Sequence, residues 1–432
     1  MDIRNCIATT FAAFILLLGA QSAAQTNDST TAKQSRLTVG GYGEAVYSHH
    51  FYSDNVFRYT HAERYKDAPG YGRVDLPHAV LMLGYDFGHG WSIGTEVEFE
   101  HGGVEAAVEK ETEETGEFEQ EVERGGEVAL EQFWVQKSFC KAFNIRAGHI
   151  VVPVGMTNNS HLPTQFFTVY RPEGENTIMP CTWHETGISL WGKSGSWRYE
   201  VQLIPALNSN LFNDAGWVHN GSASPYEFRP SNSLACAARI DWTGIRGLRM
   251  SLSGYLGNTF NNDITTTVYS ETSRYYGATG TLMIGSFDFA FKNRIFMVRG
   301  NFDYGHLGDA SLISTRNKNQ TTMTGNPYPH TAVGESAWDM SHEVGINLLA
   351  WKHTSQKLYL FGRYDHYDSY VPAEGWTDVA WAERQVLSAG INYYPLPEIA
   401  VKAEAGVRLL AKQYNNEPYV AVGITWAGFF ER

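Results

Sequence analysis

Two stretches at the end of the chain decide the fold: residues 399–409 read IAVKAEAGVRL, and residues 420–430 read VAVGITWAGFF. In both stretches apolar residues occupy every second position, which is typical of β-strands with one apolar and one polar face. Lys402, Glu404 and Arg408 share a face of the first stretch. A strand buried between two sheets rarely carries three charges on its inner face, whereas a strand that lines a water-filled barrel can carry them.

Similar alternation continues along most of the chain, in about sixteen segments. They lie near residues 37–47, 74–87, 90–100, 128–139, 142–151, 186–193, 196–206, 234–242, 247–257, 280–291, 295–306, 341–351, 357–367, 384–394, 398–409 and 418–430. Short turns alternate with long loops between these segments, which is the rhythm of bacterial outer-membrane barrels. The sequence therefore predicts an all-β fold: a transmembrane antiparallel β-barrel of about sixteen strands with long extracellular loops and short periplasmic turns.

The first 24 residues have the features of a cleaved signal peptide. Arg4 supplies a positive charge, residues 7–20 are apolar, and residues 22–24 are small. No later stretch reaches the roughly 18 to 20 apolar residues that a membrane-spanning helix needs. We therefore expect a signal peptide at 1–24, one barrel domain at 25–432, and a location in the outer membrane of a Gram-negative bacterium.

Composition agrees with that location, because 42 Gly, 24 Tyr, 23 Phe and 12 Trp are many for one chain. Transmembrane barrels use interfacial aromatic residues, and a polar lumen keeps the mean hydropathy low, here −0.31. Three cysteines follow the predicted cleavage site, Cys140, Cys181 and Cys236, without zinc-type spacing. We interpret them as structurally incidental, and a disulfide between Cys181 and Cys236 stays open.

A local motif suggests a family. Residues 145–149, IRAGH, followed by Pro153-Val154-Gly155, resemble the exit of the fifth strand in the phosphate-selective porin O and P family. The last strand also resembles the assembly signal of outer-membrane barrels, although Glu431 and Arg432 follow its terminal aromatic residue. The resemblance implies a sixteen-stranded homotrimer with a loop folded into the pore, through which small hydrophilic solutes or ions diffuse, anions such as phosphate among them.

The predicted charges of the lumen are mixed. Strand alternation places these cations on the inner face: Arg146, Arg198, Arg239, Arg249, Arg299, Arg363, Arg384, Lys402 and Arg408. It places these acids there too: Glu44, Asp86, Glu96, Glu98, Glu100, Glu200, Asp241, Asp288, Asp303, Glu343, Asp365 and Glu404. A pore concentrates ions of the charge opposite to its lining, so this mixture and the net charge of −13 do not predict an anion trap.

The third long loop, Val152 to Glu185, is the predicted constriction, because sixteen-stranded porins fold this loop inward and a filter needs opposed charges. The candidate residues are His161, Arg171, Glu173, Glu175, His184 and Glu185. The alternative is an extracellular cap held by Pro163, Pro172 and Pro180.

The second long loop is strongly acidic, with ten glutamates between residues 105 and 127 against Lys110 and Arg124. Such runs are usually solvated. The functional alternatives are divalent-cation bridging near lipopolysaccharide and a cation-attracting mouth. His49, His50 and His61 in the first loop are interpreted as surface histidines, with transition-metal ligation as the alternative.

Enzymatic function has little support in the sequence. It contains neither a G-x-S-x-G elbow nor an H-E-x-x-H helix, and neighbours in the run Asp365 to Asp368 point to opposite faces of a strand. We therefore expect a porin for passive diffusion, without cofactor, metal or nucleic acid, whose partners are membrane lipid, lipopolysaccharide, small hydrophilic solutes and two further copies of the chain. The alternative is a surface-exposed barrel that serves as an adhesin or complex anchor without transport.

Overall fold

The computed structural model describes residues 36–102, 109–110, 120–121, 127–224, 228–262, 271–319 and 331–430. The predicted signal peptide, most of the acidic second loop, and Glu431 with Arg432 lie outside these residues. Interpretations that concern them stay predictions.

Sixteen antiparallel strands form one sheet in which each strand pairs with the next along the chain. They are β1 Leu37–His50, β2 His78–Gly88, β3 Trp91–Glu100, β4 Glu127–Cys140, β5 Phe143–Val151, β6 His184–Ser194, β7 Trp197–Pro205, β8 Leu234–Trp242, β9 Leu248–Asn258, β10 Thr281–Lys292, β11 Phe296–Leu307, β12 Ser336–Asn347, β13 Lys357–Val371, β14 Glu383–Leu396, β15 Ile399–Leu409 and β16 Glu417–Phe430. Strand β16 pairs back onto β1, from Val39 opposite Phe430 to His50 opposite Tyr419, so the sheet is closed. The predicted sixteen-stranded barrel is confirmed.

The other described elements are short and lie in the connections. Four α-helices are α1 Ala62–Tyr65, α2 Met156–Asn159, α3 Glu173–Ile178 and α4 Ala310–Lys318. A five-residue strand, Tyr71–Asp75, precedes β2 and pairs with the end of β1, and residues 109–110 pair with 120–121. None of the helices in the described part of the chain is long and apolar enough to cross a membrane.

Inner and outer faces of the barrel differ in polarity. On β15, Val401 is 46% exposed, whereas Lys402 is 1% and Glu404 is 7% exposed. The same alternation recurs around the barrel, where large apolar side chains such as Leu252 and Ile391 are about half exposed on the outside. A closed barrel with an apolar outer band and charged inner positions has the surface of a transmembrane barrel.

Short and long connections occupy opposite ends of the barrel, which we call the turn end and the loop end. Turn-end connections are 89–90, 141–142, 195–196, 243–247, 293–295, 348–356 and 397–398. Loop-end connections are 51–77, including the short strand, 101–126, 152–183, 206–233, 259–280, 308–335, 372–382 and 410–416.

Strand β12 differs most from its prediction, because it spans Ser336–Asn347 and not 341–351. The apolar run from Leu348 to Trp351 suggested more strand but forms a turn. The side-chain oxygen of Asn347 accepts hydrogen bonds from the amides of Leu349 (3.1 Å) and Leu358 (3.2 Å), which closes this turn. The connection before β12 therefore ends at residue 335.

The described residues include three cysteines. Cys140, Cys181 and Cys236 are all free, so the disulfide that the sequence left open between Cys181 and Cys236 is not formed. Cys236 is exposed on β8, in the outer series of that strand.

Candidate pore site and its inward loop

One side of the lumen carries a series of cations that we call the arginine wall. It comprises Arg198, Arg239, Arg249, Arg299, Arg363, Arg384, Lys402 and Arg408, on inward positions of strands from β7 to β15.

Carboxylates on the same or neighbouring strands pair with these arginines. Arg239 contacts Asp241 through Nε (2.7 Å) and Asp288 through Nη2 (2.8 Å). Arg363 donates two hydrogen bonds to Asp365, from Nε (2.8 Å) and Nη2 (2.6 Å). Buried charges are stabilised only when they are paired and hydrogen-bonded. The arginines and the carboxylates on this side of the lumen therefore largely neutralise one another.

The opposite side, on β1, β3 and β4, is acidic. We call it the acidic wall, and it comprises Glu44, Glu96, Glu98, Glu100 and Glu131. Four of these, all except Glu100, are at most 6% exposed. Among the side chains that the structure describes on β1 to β4, no arginine or lysine faces inward. The countercharge for this wall must therefore come from outside its own strands.

Segment 152–183, which we call the inward loop, joins β5 to β6 and packs against the inner face of the barrel. Lys402 donates hydrogen bonds from Nζ to the carbonyls of Phe166 (3.0 Å) and Thr168 (2.8 Å). Arg239 donates from Nη1 to the carbonyl of Gly155 (3.0 Å). Backbone oxygens of the loop thus satisfy cations of the arginine wall.

Toward the acidic wall the same loop presents donors. Arg171 Nη2 lies 3.3 Å from the Tyr42 hydroxyl and 3.9 Å from Glu98 Oε1, and its side chain is only 7% exposed. The hydroxyl of Thr182 donates a hydrogen bond to Glu131. The inward loop is therefore electrostatically complementary to both walls.

Glu173, at the start of α3, is the carboxylate that the loop offers to the arginine wall. It accepts from Arg408 Nε at 2.7 and 2.8 Å and from the Tyr367 hydroxyl at 2.5 Å, and Arg384 lies 3.9 Å away. Burial acts to raise the pKa of Glu173, but the charges of Arg408 and Arg384 outweigh it and hold the pKa below its ordinary value. Ionised Glu173 thus fixes the loop to β14 and β15.

Glu175 was a predicted constriction residue, but the structure gives it another position. Its oxygens accept hydrogen bonds from the amides of Met156 and Thr157, both at 2.9 Å, at the start of α2. It is 3% exposed, and burial raises its pKa. Glu175 holds the loop together from within and does not face the channel, so the sequence interpretation is corrected here.

His161 lies beside the acidic wall. Its Nδ1 is 2.9 Å from the carbonyl of Asn158, and its ring lies 5.8 Å from that of Tyr42.

His184 is a second correction, because β6 begins there and its alternation places His184 with exposed Ile188 on the outer face. Its Nδ1 lies 2.5 Å from Nε2 of His149 on β5. Glu185 is the first inward residue of β6, and Arg229 contacts it at 3.1 Å. Glu185, also a predicted constriction residue, therefore lies on the barrel wall and not in the inward loop.

Three of the predicted lining cations lie nearer the turn end. Arg146 lies 4.6 Å from the ring of Trp134 and donates two hydrogen bonds to Gln136. Arg198 and Arg249 have side chains about 30% exposed, and both line a cavity of about 370 Å³ beside the inward loop. Arg249 also lines a neighbouring cavity of about 420 Å³.

Several residues of the site are not among those predicted from the sequence. Glu131 faces inward because of a bulge: β4 has one extra residue, Glu131, opposite the step from Glu96 to Val97 on β3. Strict alternation across this bulge would place Glu131 on the outer face. Arg229, the partner of Glu185, lies in a loop. Glu417, the first residue of β16, contacts Arg408 at 3.1 Å. Strand alternation identifies neither of these pairs. His78, whose Nδ1 lies 2.5 Å from Glu98 of the acidic wall, was detectable because it is an inward residue at the start of β2.

No family model matches the sequence. An uncharacterized protein of Aquifex aeolicus (strain VF5) is 27% identical over 400 residues, which cover 90% of this chain and 79% of that protein.

Solved structures that resemble the barrel include the following three. The anion-selective porin from Comamonas acidovorans has a TM-score of 0.51 and 11% identity, over 91% of this chain and 99% of that one. OmpF of Salmonella typhi in complex with daunomycin has a TM-score of 0.51 and 10% identity, over 91% and 97%. A loop L8 deletion mutant of OmpT, an outer membrane protein of Vibrio cholerae, has a TM-score of 0.50 and 9% identity, over 92% and 100%. The chain therefore has the fold of bacterial outer-membrane porins, and the narrower resemblance to the phosphate-selective family stays a prediction.

Proposed function

We propose that this barrel is an outer-membrane porin, a water-filled channel for passive diffusion of small hydrophilic solutes and ions, with the inward loop as its constriction. The observation that carries the proposal is the complementarity of the loop to the two walls. Its carbonyls and Glu173 meet the arginine wall, while Arg171 and Thr182 meet the acidic wall. Such matching supports a loop that is held inside the lumen and not over its mouth.

The proposed filter differs from the residues first suggested by the sequence. Glu175 is enclosed by the loop and His184 faces outward, so neither belongs to it. Arg171, Glu173 and His161 remain from the loop. The wall residues Arg198, Arg249, Arg384 and Arg408 contribute side chains that are partly exposed.

Charge selectivity is proposed to be weak, with a mild preference for cations at low salt. The arginines are paired with carboxylates, which removes most of their attraction for anions, whereas the acidic wall has fewer countercharges. Screening at about 1 M salt, where the Debye length is about 3 Å, is expected to remove most of the preference. The proposal includes a homotrimer, as the family resemblance implies, which predicts closure in three equal steps.

Liposome swelling with sugars of graded size tests the proposal. Vesicles that contain the folded wild-type protein are expected to admit monosaccharides and to exclude larger sugars, whereas empty vesicles admit neither. A variant shortened between Asn159 and Pro180 is expected to admit larger sugars, provided that it folds. Folded wild-type protein without any swelling would contradict the porin and favour a barrel without transport. If the folded, shortened variant keeps the size limit of the wild type, the inward loop is not the constriction, but the proposal of a porin still stands.

A further inference from the structure

The acidic wall contains a histidine with glutamates on both sides. Gly43 on β1 pairs with Ala79 on β2, so the register continues with Glu44 beside His78, and His78 itself pairs with Glu100 on β3. Side chains directly opposite on neighbouring strands have Cβ atoms about 4.5 to 5.5 Å apart. Three adjacent strands thus bring one imidazole and two carboxylates into one row facing the lumen.

A fourth group, Glu98, holds the imidazole. His78 Nδ1 lies 2.5 Å from Glu98 Oε1, and ligand atoms of His78, Glu98 and Glu100 all lie within 4.8 Å of one another. A carboxylate on one imidazole nitrogen fixes the ring and leaves the other nitrogen for a metal ion, a common arrangement around protein-bound metals. Nε2 of His78 is the nitrogen left available by this contact.

Glu44 provides an independent indication of a ligand. Its side chain is 2% exposed, and neither carboxylate oxygen accepts a hydrogen bond. Its Oε1 points toward His78, 3.7 Å from Nε2. Two ligands of one tetrahedral ion at bond lengths near 2.1 Å lie about 3.4 Å apart, so the observed separation needs little adjustment to hold an ion.

Local charge favours a cation. Glu44, Glu98 and Glu100 surround His78, and two cations act on them: Arg171, 3.9 Å from Glu98 Oε1, and Lys402, whose ammonium group is held by two carbonyls of the inward loop. Two cations do not compensate three carboxylates and their acidic neighbours, Glu96 and Glu131. Buried carboxylates without partners are costly unless they bind a proton or a cation.

We propose that His78 and Glu44 bind a divalent transition-metal ion such as Zn²⁺ on the lumen wall, with Glu100 as a further ligand and Glu98 as the group that orients the imidazole. One imidazole nitrogen with several carboxylate oxygens suits such an ion, and the site is reachable because the His78 side chain is 14% exposed. Binding of the ion does not require that the barrel conduct solutes. A negative binding result would therefore overturn the metal site and leave the proposed channel function intact.

Equilibrium binding of Zn²⁺ to the full-length, untagged, detergent-folded barrel, stripped with EDTA, tests the proposal. The wild type is expected to show one high-affinity ion per chain. His78→Ala is expected to lower the affinity at least tenfold, and Glu98→Gln by about 10- to 100-fold through loss of ring orientation. His342→Ala, an exposed histidine on β12, and Glu404→Gln, a buried glutamate on β15, are matched controls and should bind as the wild type does.

Co²⁺ gives a second measurement that needs no variant, because its visible absorption reports ligand geometry. Addition of one equivalent is expected to produce a saturating d–d spectrum that Zn²⁺ abolishes. No high-affinity ion on the wild type would overturn the proposal, since protons would then neutralise the glutamates. Equal Zn²⁺ affinity of folded His78→Ala and wild type would overturn it as well.

Discussion

The arginine wall and the acidic wall are built from the same alternation but balance their charges differently. On the arginine wall a cation and an acid often occupy successive inward positions of one strand, as in Arg239 with Asp241 and Arg363 with Asp365. On β3 the successive inward positions are all acidic, Glu96, Glu98 and Glu100. One wall therefore carries its countercharges within its strands, and the other depends on groups that come from elsewhere.

This difference explains how the inward loop is held. On the arginine wall, some N–H groups of the arginines and the lysine are not paired with carboxylates and need another acceptor. Carbonyls of the inward loop accept hydrogen bonds from these groups. The acidic wall needs a cation, and Arg171 provides one. Energies between charges rise as the local dielectric falls, so the contacts between buried side chains contribute most to the position of the loop.

The largest expected effect is on the stability of the arginine wall. Arg363→Met leaves Asp365 and Glu343 buried without their main cation, and removal of one partner of a buried ion pair costs about 3 to 5 kcal/mol. Glu96→Gln on the acidic wall removes one of several like charges and is expected to change the free energy of unfolding by about 1 kcal/mol or less, in either direction. Urea unfolding in phospholipid vesicles measures both. Equal losses of stability would show that the two walls are balanced alike.

A substitution on the outer face of the barrel is expected to have a smaller effect on the free energy of unfolding. Ala405 lies between Glu404 and Gly406 on β15 and faces outward, so Ala405→Arg is expected to cost about 2 to 4 kcal/mol near the midplane of the bilayer. Ala405→Leu is the matched control and should unfold as the wild type does. If the arginine variant is as stable as the leucine variant, the outward face of β15 has been assigned wrongly.

The contact of Glu173 with the arginine wall predicts a pH dependence. Because its pKa is lowered in the folded protein, its ionised form stabilises the docked loop above the ordinary glutamate pKa of about 4.3, and this contribution is lost as the pH falls through the lower, folded value. Current noise from a loosened loop is therefore expected to appear only below about pH 4. Glu173→Gln should show this noise already at pH 7. A quiet Glu173→Gln channel at neutral pH would mean that Arg408 does not hold the loop.

The sequence was sufficient for the barrel but not for all of its site. Period-two alternation located the strands, since each has one polar face, and β15 follows it without interruption. It failed at Glu131, where a bulge reverses the face, and at residues 348–351, where an Asn347 side chain closes a turn. Alternation also gives no information about partners within loops. The capping role of Glu175 depends on how 152–183 folds back on itself, and the outward position of His184 depends on where β6 begins.

Single-channel recording in a planar bilayer under a KCl gradient measures the proposed function most directly. We expect discrete conductance steps from the folded wild type, with a reversal potential near zero or slightly toward cations at low salt. Arg171→Gln, which removes the cation facing Glu98, is expected to shift the reversal potential further toward cations. Absence of conductance, or strong anion selectivity in the wild type, would contradict a weakly selective porin whose inward loop lies between an arginine wall and an acidic wall.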